Sequence, residues 1–509
     1  MKQKIKCEKK VRGSGVLLHV TSLPGPYGIG DLGPTSFDFI DFLVAAGQSS
    51  WQFLPVGPVD PGFNCSPYMS LSAFAGNPLL ISPDLLLDDG LLQRSDFGSP
   101  PDFSDYQVNF PLVIEFKRAL LGHAFTRLTL SGLHEDFQDF CQQESVWLDD
   151  YALFMSLREH GGGKAWFQWE KSIVRREPAT LAKARTFMAE KVAYYQFEQY
   201  IFFRQWHRLR QYAKAQGVSL IGDLPIYVSL DSADVWANQN CFQLDGKTAM
   251  PTHVAGVPPD YFSKTGQRWG NPLYCWKRGQ SGNDELIAWW RLRFQQMIRL
   301  VDQIRIDHFR GFEAYWEIPA KEATAVNGRW VKGPGKPFFD QLADLTAQLP
   351  IIAEDLGIIT PEVIKLRDEL GFPGMKILQF AFDADADNLY LPHNYHTSNC
   401  VVFTGTHDNN TTLGWYMGDC TEETRGRVKR YAHTDGREIH WDMIRLALSS
   451  VAVYAIIPLQ DILGFGSDCR MNMPGTTKGN WLWRYAALFL TRELADRLRD
   501  ETKFYGRGA

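Results

Sequence analysis

Residues 202–223 read FFRQWHRLRQYAKAQGVSLIGD. Phe202, Trp206, Leu209 and Ala213 are spaced 4, 3 and 4 apart, which places them on one face of a helix. Gly217 follows as a stop, Val218 to Ile221 form an apolar run of strand length, and the run ends in Gly222-Asp223. A helix that closes against a short apolar strand is the repeating unit of an α/β fold.

The same unit recurs outward from this stretch. Leu286, Trp290, Phe294, Met297 and Val301 share a helical face ahead of Gln303 to Ile306 and Asp307. Leu342, Leu345 and Leu349 precede Pro350, Ile351 to Ala353 and Glu354. Thr360 stands as an N-cap, Pro361 at the first helical position and Gly371 beyond the end, before the apolar run Met375 to Phe382. Gly15 to Val20, Trp51 to Val56, Cys400 to Thr404 and Val451 to Ile457 bring the candidate strands to eight. Eight strands with helices between them predict an α/β fold, a (β/α)8 TIM barrel. Such a barrel uses about 250 residues, so roughly half of this chain is insertion. The gaps assign the insertions to 57–217, between strands 2 and 3, and to 224–283. Helical patterns around Phe137 to Leu157 and Val192 to Ala213 make the first of these mainly helical. The expected architecture is therefore one barrel over 1–509, with large, mainly helical insertions on its C-terminal face.

Composition limits the partners. The 509 residues carry 53 Lys plus Arg against 58 Asp plus Glu, a net charge of -5, which offers no basic excess for nucleic acid. The eight cysteines are scattered with no CxxC pair, the pattern of reduced cytosolic thiols. Lys2, Lys4, Lys6, Lys9, Lys10 and Arg12 precede only Val16 to Leu18 as an apolar run, too short for a secretory signal. No run approaches the length of a membrane span. Sixteen Trp and 33 Phe supply flat apolar surface that suits sugar stacking and a large core equally.

Four apolar runs lead into an acid: Asp223, Asp307, Glu354 and Asp408. Any one of them reads equally as a helix cap. Together they read as a site, because the C-terminal strand ends of a parallel barrel converge on one mouth. Arg305 lies two residues before Asp307, hence on the same face of its strand, where a guanidinium would hold that carboxylate ionised. Asp307 is thus the nucleophile or cation stabiliser. Glu354, with no cation within two residues, is the protonated acid. Two carboxyls in opposed roles indicate glycoside chemistry.

Other patterns compete and fall short. Gly28 to Gly33 matches a dinucleotide fingerprint, but Pro34 interrupts the helix start and no acid closes the next strand. Asp383, Asp385, Asp387 and Asn388 resemble a calcium loop without its Gly or final Glu. His393 and His396 have no further ligand beside them, and none of the four strand-end acids stands in a metal-binding spacing with His.

The segments His19 to Gly33 (HVTSLPGPYGIGDLG), Trp51 to Pro58, Ser66 to Pro78, Gly222 to Val228 (GDLPIYV), Arg305 to Gly311 (RIDHFRG), Ala353 to Gly357 (AEDLG) and Gly405 to Asn409 (GTHDN) stand in this order along the chain. In them the sequence resembles the 4-alpha-glucanotransferases of glycoside hydrolase family 77, the amylomaltases or disproportionating enzymes. The resemblance implies a barrel without a separate starch-binding domain. It also implies a retaining double displacement that transfers α-1,4-glucan segments between maltooligosaccharides, with no cofactor and no metal. Carried over residue by residue, it implies that Asp307 is the nucleophile, Glu354 the general acid/base and Asp408 a third acid gripping sugar hydroxyls. Arg305 and His407 support them. Asp223, His308, Tyr68, Ser66, Asp355, Asp383 and Asn480 are the implied sugar contacts. Gly256 to Pro272 (GVPPDYFSKTGQRWGNP) resembles the family's mobile lid, with Asp260, Phe262, Gln267 and Trp269 as glycan contacts. A cytoplasmic protein is expected, or a plastid stromal one if the chain is a processed form, with no obligate protein partner. A hydrolase acting on the same α-1,4-glucan and a non-catalytic glycan-binding barrel remain as alternatives on sequence alone.

Overall fold

The computed structural model describes residues 12–130, 135–259, 263–277, 283–383 and 385–508. Among them lie the strands β1 (Gly13–Leu17), β2 (Ser50–Gln52), β3 (Ser219–Pro225), β4 (His253–Val257), β5 (Gln267–Pro272), β6 (Gln303–Asp307), β7 (Ala314–Pro319), β8 (Arg329–Lys332), β9 (Ile351–Ala353), β10 (Gly374–Ile377), β11 (Cys400–Phe403) and β12 (Tyr454–Pro458). Eight of them close a parallel barrel in the order β1-β12-β11-β10-β9-β6-β3-β2. They are the eight runs read from the sequence. Several are shorter than expected, β2 ending at Gln52 where the run continues to Val56. β10 stops at Ile377 because Leu378–Phe380 turn into a 3-10 helix, and β12 starts at Tyr454, leaving Val451 half exposed in the preceding loop.

The barrel core is built from these strands and the helices that return to them. Val16, Ile304, Ile306, Ile352, Val402 and Ile456 are buried on the strands. Phe202, Trp206, Leu209 and Ala213 are all buried on the helix Ala189–Ala215, as their spacing requires. Gly217 ends that segment at φ +74, a left-handed conformation that costs glycine little. Trp206 also donates its ring N–H to the Leu300 carbonyl at 2.8 Å, tying two barrel helices together. Truncating such a side chain to alanine costs about 3–5 kcal/mol. Thr360 and Pro361 open the helix Pro361–Glu369 in the expected places, although the Thr360 side chain makes no capping bond. The stretch around Leu342 to Leu349 forms only the short helix Ala343–Thr346, confined between the preceding turn and Pro350.

Residues between β2 and β3 are helical, with Phe110–Leu130, Glu135–His160 and Pro178–Phe187 ahead of Ala189–Ala215. That last helix belongs to two layers. Its N-terminal half packs aromatics against Glu135–His160, as in Phe137 with Tyr200 at 5.5 Å, while its C-terminal half covers the barrel.

The second insertion departs from the helical expectation. It supplies β4 and β5, which join β7 and β8 from the excursion after β6 in an antiparallel sheet of order β5-β4-β7-β8. These strands escape a reading by alternation because they are only four to six residues long and β8 is mostly exposed.

Pro34 also needs correcting: it begins the helix Pro34–Ala45 at its first position, where proline is favoured. The glycines before it serve packing, since a Cβ on Gly30 would sit 2.0 Å from the Val20 carbonyl oxygen. The stretch 383–396 is tied to itself and its neighbours, with Asn394 donating to Ala386 and Asn388 carbonyls and His393 meeting the Tyr431 hydroxyl at 3.0 Å. Among the described residues no helix is long and apolar enough to cross a membrane.

Candidate active site

The barrel order brings together acids that are far apart in sequence. β3, β6 and β9 are neighbours, with Asp223 opposite Arg305, Pro225 opposite Asp307 and Ile306 opposite Ala353, so Asp307 and Glu354 emerge side by side from adjoining strand ends. Arg305 is buried at this mouth. One of its nitrogens donates to both oxygens of Asp223, at 2.8 and 2.7 Å, and to Asp307 Oδ1 at 2.9 Å. The Asp223 side chain is wholly buried, while that of Asp307 keeps 28% exposure toward the cleft.

A second line of contacts leads to the loop after β11. The Tyr68 hydroxyl donates to Asp223 Oδ2 at 2.7 Å and meets His407 Nε2 at 2.9 Å, with the two rings stacked at 5.2 Å. Because the single hydroxyl proton goes to the carboxylate, His407 must carry its proton on Nε2. That nitrogen lies 3.4 Å from Asp408 Oδ1. Asp408 itself is exposed and is steadied by Asn472 Nδ2, which donates to Oδ1 at 2.6 Å, and by Arg470, which donates to its backbone carbonyl at 2.5 Å.

Glu354 is held by backbone. His308 takes a left-handed conformation, φ +54, and its N–H donates to Glu354 Oε2 at 2.7 Å; Leu356 N–H donates to Oε1 at 2.8 Å. These bonds favour the carboxylate, but burial outweighs them and pushes Glu354 up to about 7. Burial also pushes Asp307 up, to about 6, against the pull of Arg305. Arg305 therefore does not by itself keep Asp307 at an ordinary value. Burial thus favours the protonated form of both carboxyls, and their titrations are tied together by their proximity. Burial pulls the His308 imidazole down to about 3, so it is neutral; its Nε2 has no partner and Trp269 meets its ring edge-on at 4.8 Å.

Tyr68, Arg305, Asp307, His308, Glu354, His407 and Asp408 face a cleft of about 1040 Å³ whose walls also include Ser66, Gln267, Trp269, Asp383 and Asn480. Asp223, expected as a sugar contact, does not line it, because its wholly buried side chain is taken up by Arg305 and Tyr68. Ser66 Oγ accepts from Tyr68 N–H at 3.3 Å, and Gln267 Oε1 accepts from the Trp269 ring N–H at 3.1 Å. Asn480 braces its own loop by accepting from Met473 N–H at 3.0 Å and donating to the Thr476 carbonyl at 3.1 Å. Asp260 and Phe262 lie outside the described residues.

Asp355 is a correction. Its side chain turns away from the mouth, pairs with Arg367 and accepts from Met375 N–H at 2.7 Å, so it joins the helix Pro361–Glu369 to β10 instead of lining the cleft. Adjacent residues of an extended segment point to opposite sides, so Glu354 and Asp355 cannot both face the mouth. The sequence reading missed Arg310, Trp330, Ile358, Gln379, Arg470 and Asn472, all of them cleft-lining. Gln379 and Arg310 stand two and three residues beyond the ends of β10 and β6, so their place near a strand end was a signal that a reading for acids passes over; Trp330, Arg470 and Asn472 follow no barrel strand closely.

The chain matches the 4-alpha-glucanotransferase family model over residues 18–491. It is 50% identical over 501 residues to a 4-alpha-glucanotransferase from Synechocystis sp., spanning 97% of this chain and 98% of that one. It is 47% identical over 498 residues to a 4-alpha-glucanotransferase from Thermus thermophilus, spanning 96% and 97%. Among solved structures, an amylomaltase from Streptococcus agalactiae in complex with acarbose aligns with a TM-score of 0.92 at 39% identity, over 98% of this chain and 100% of that one. With its family match, its barrel and its paired carboxyls at one mouth, the chain belongs to the 4-alpha-glucanotransferases of glycoside hydrolase family 77, which are transglycosylating enzymes.

Proposed function

We propose that Asp307 attacks the anomeric carbon of an α-1,4-glucan while Glu354 protonates the departing oxygen, leaving a glycosyl ester on Asp307. Glu354 then takes the proton from the 4-hydroxyl of an acceptor maltooligosaccharide, which displaces the ester and restores the α linkage. The observation that carries this reading is the unequal setting of two neighbouring carboxyls. Asp307 has a guanidinium at 2.9 Å, whereas Glu354 has only two backbone N–H partners in a buried place. Asp408, fixed by Asn472, grips sugar hydroxyls near the reacting carbon, where contacts strengthen as positive charge develops. The unpartnered nitrogen of neutral His308 is free for a further hydroxyl.

The reading includes a lid. Val257, Pro258, Gln267 and Trp269, from β4, the residue after it and β5, line the cleft, and the part 256–272 to which they belong shields the ester from water while the acceptor binds. The parts 57–217 and 224–283 act as insertions that shape the cleft of a single catalytic barrel. A cytoplasmic setting, or a plastid stroma, accords with free thiols at Cys65, Cys141, Cys241, Cys275, Cys400, Cys420 and Cys469.

The test is to trap the ester. α-Maltotriosyl fluoride needs no acid to leave, so the Glu354→Gln variant should form the ester and fail to discharge it. Peptide mass spectrometry should then find a maltotriosyl adduct on the Asp307 peptide. An adduct on another carboxylate, or none with fluoride still released, would refute the assignment.

A further inference from the structure

We infer that Trp330 and Ile358, held together by Arg310, form an apolar ledge on which the acceptor glucan stacks. The inference rests on the assignment of Glu354 as acid/base given above. Trp330 and Ile358 are large apolar side chains left 39% and 47% exposed, and both line the cleft. They come from different parts of the fold, β8 and the loop that follows Glu354.

Arg310 is what joins them. It is 4% exposed, one of its terminal nitrogens donates to the Ile358 carbonyl, and its guanidinium carbon lies 3.7 Å from the centre of the Trp330 ring. Trp316, opposite Trp330 on β7, meets that ring edge-on at 5.2 Å and is itself fixed by a 2.9 Å bond to the Ala325 carbonyl. The indole is therefore gripped in place yet left open to the cleft. A rigid, exposed aromatic beside an exposed aliphatic side chain is what the C–H face of a glucose ring covers well, at little cost in side-chain entropy.

Hydrogen bonds tie the ledge to the acid/base: the His308 N–H holds Glu354 Oε2, and Arg310, two residues on, holds the Ile358 carbonyl, which sets the ledge on the acceptor side. Glu354 protonates the departing oxygen and later deprotonates the incoming hydroxyl at the same point, so the leaving and entering sugars share its side of the bond. Ile358 stands four residues after Glu354 on the same loop, and the Leu356 N–H between them holds the Glu354 carboxylate. The ligand class is a run of α-1,4-linked glucose units leading away from the acceptor's reacting hydroxyl.

The experiment uses the full chain with α-maltotriosyl fluoride as donor and labelled maltose as varied acceptor. The pre-steady-state burst of fluoride reads ester formation with a leaving group too small to reach the ledge, and steady-state incorporation of label reads transfer. Trp330→Ala should raise the acceptor KM about tenfold, while the burst rate of fluoride release falls less than about twofold. Trp330→Phe should recover most of the loss. Ile358→Ser alters an exposed side chain and should raise the acceptor KM by about threefold, so the test stands even if Trp330→Ala does not fold. An unchanged acceptor KM in the folded variants would overturn the ledge, as would a fall in the fluoride burst rate equal to the fall in transfer. Wild-type protein that releases fluoride but never labels a longer chain would overturn the transfer reading itself, and the ledge with it.

Discussion

Arg305 divides its charge unevenly, placing two hydrogen bonds on Asp223, at 2.8 and 2.7 Å, and one on Asp307, at 2.9 Å. Asp223 thus competes for the guanidinium that should favour an ionised Asp307, and its own negative charge pushes Asp307 up further. Asp223→Asn should reverse both effects. The acidic limb of kcat/KM should move to lower pH even as the overall rate falls because Arg305 and Tyr68 lose their charged partner; a pH-rate profile checks this, and a limb that stays put or moves up would count against the network.

The wild-type profile should itself be bell-shaped. Asp307 must be ionised, so activity falls as pH drops below about 6, and Glu354 must be protonated, so activity falls as pH rises above about 7. The two limbs belong to the interacting pair. With a fluoride donor, which needs no acid, the alkaline limb should vanish from the ester-forming step.

Asp408 is exposed, and its carboxylate accepts a hydrogen bond from the Asn472 amide at 2.6 Å. Asn472→Ala should lower kcat by about 10–100-fold with a smaller change in KM, because a displaced acid loses contacts made as the transition state forms. Steady-state kinetics on maltotriose decide it, and an equal loss in both parameters would point to general damage of the loop.

Lys117 is 1% exposed and gives all three of its ammonium protons to Asp31, the Leu79 carbonyl and the Ile81 carbonyl, each at 2.9 Å. Lys117→Met strands the Asp31 charge and both carbonyls, and should destabilise the fold by about 3–5 kcal/mol in denaturant unfolding. Adding Asp31→Asn should recover part of that loss.

The barrel was legible in the sequence because its strands fall in short, mostly apolar runs, several of them preceded by helices with clean faces, as in Phe202 to Asp223. The acids were legible for the same reason: Asp223, Asp307, Glu354 and Asp408 each follow such a run. The sheet β5-β4-β7-β8 was not, since strands such as β8, with three of four residues exposed, carry no alternation to read. Asp355 misled because adjacency to Glu354 in sequence does not mean adjacency in the cleft. Asn472 and Trp330 gave no signal at all, because each depends on which loop the barrel closure brings alongside the mouth.

The central claim is transfer, and maltotriose alone tests it most directly. Purified protein should convert it to glucose and a ladder of longer maltooligosaccharides while the total number of reducing ends stays constant. A rising count of reducing ends with no chain longer than the substrate would mean that water, not sugar, discharges the ester, and would contradict the account.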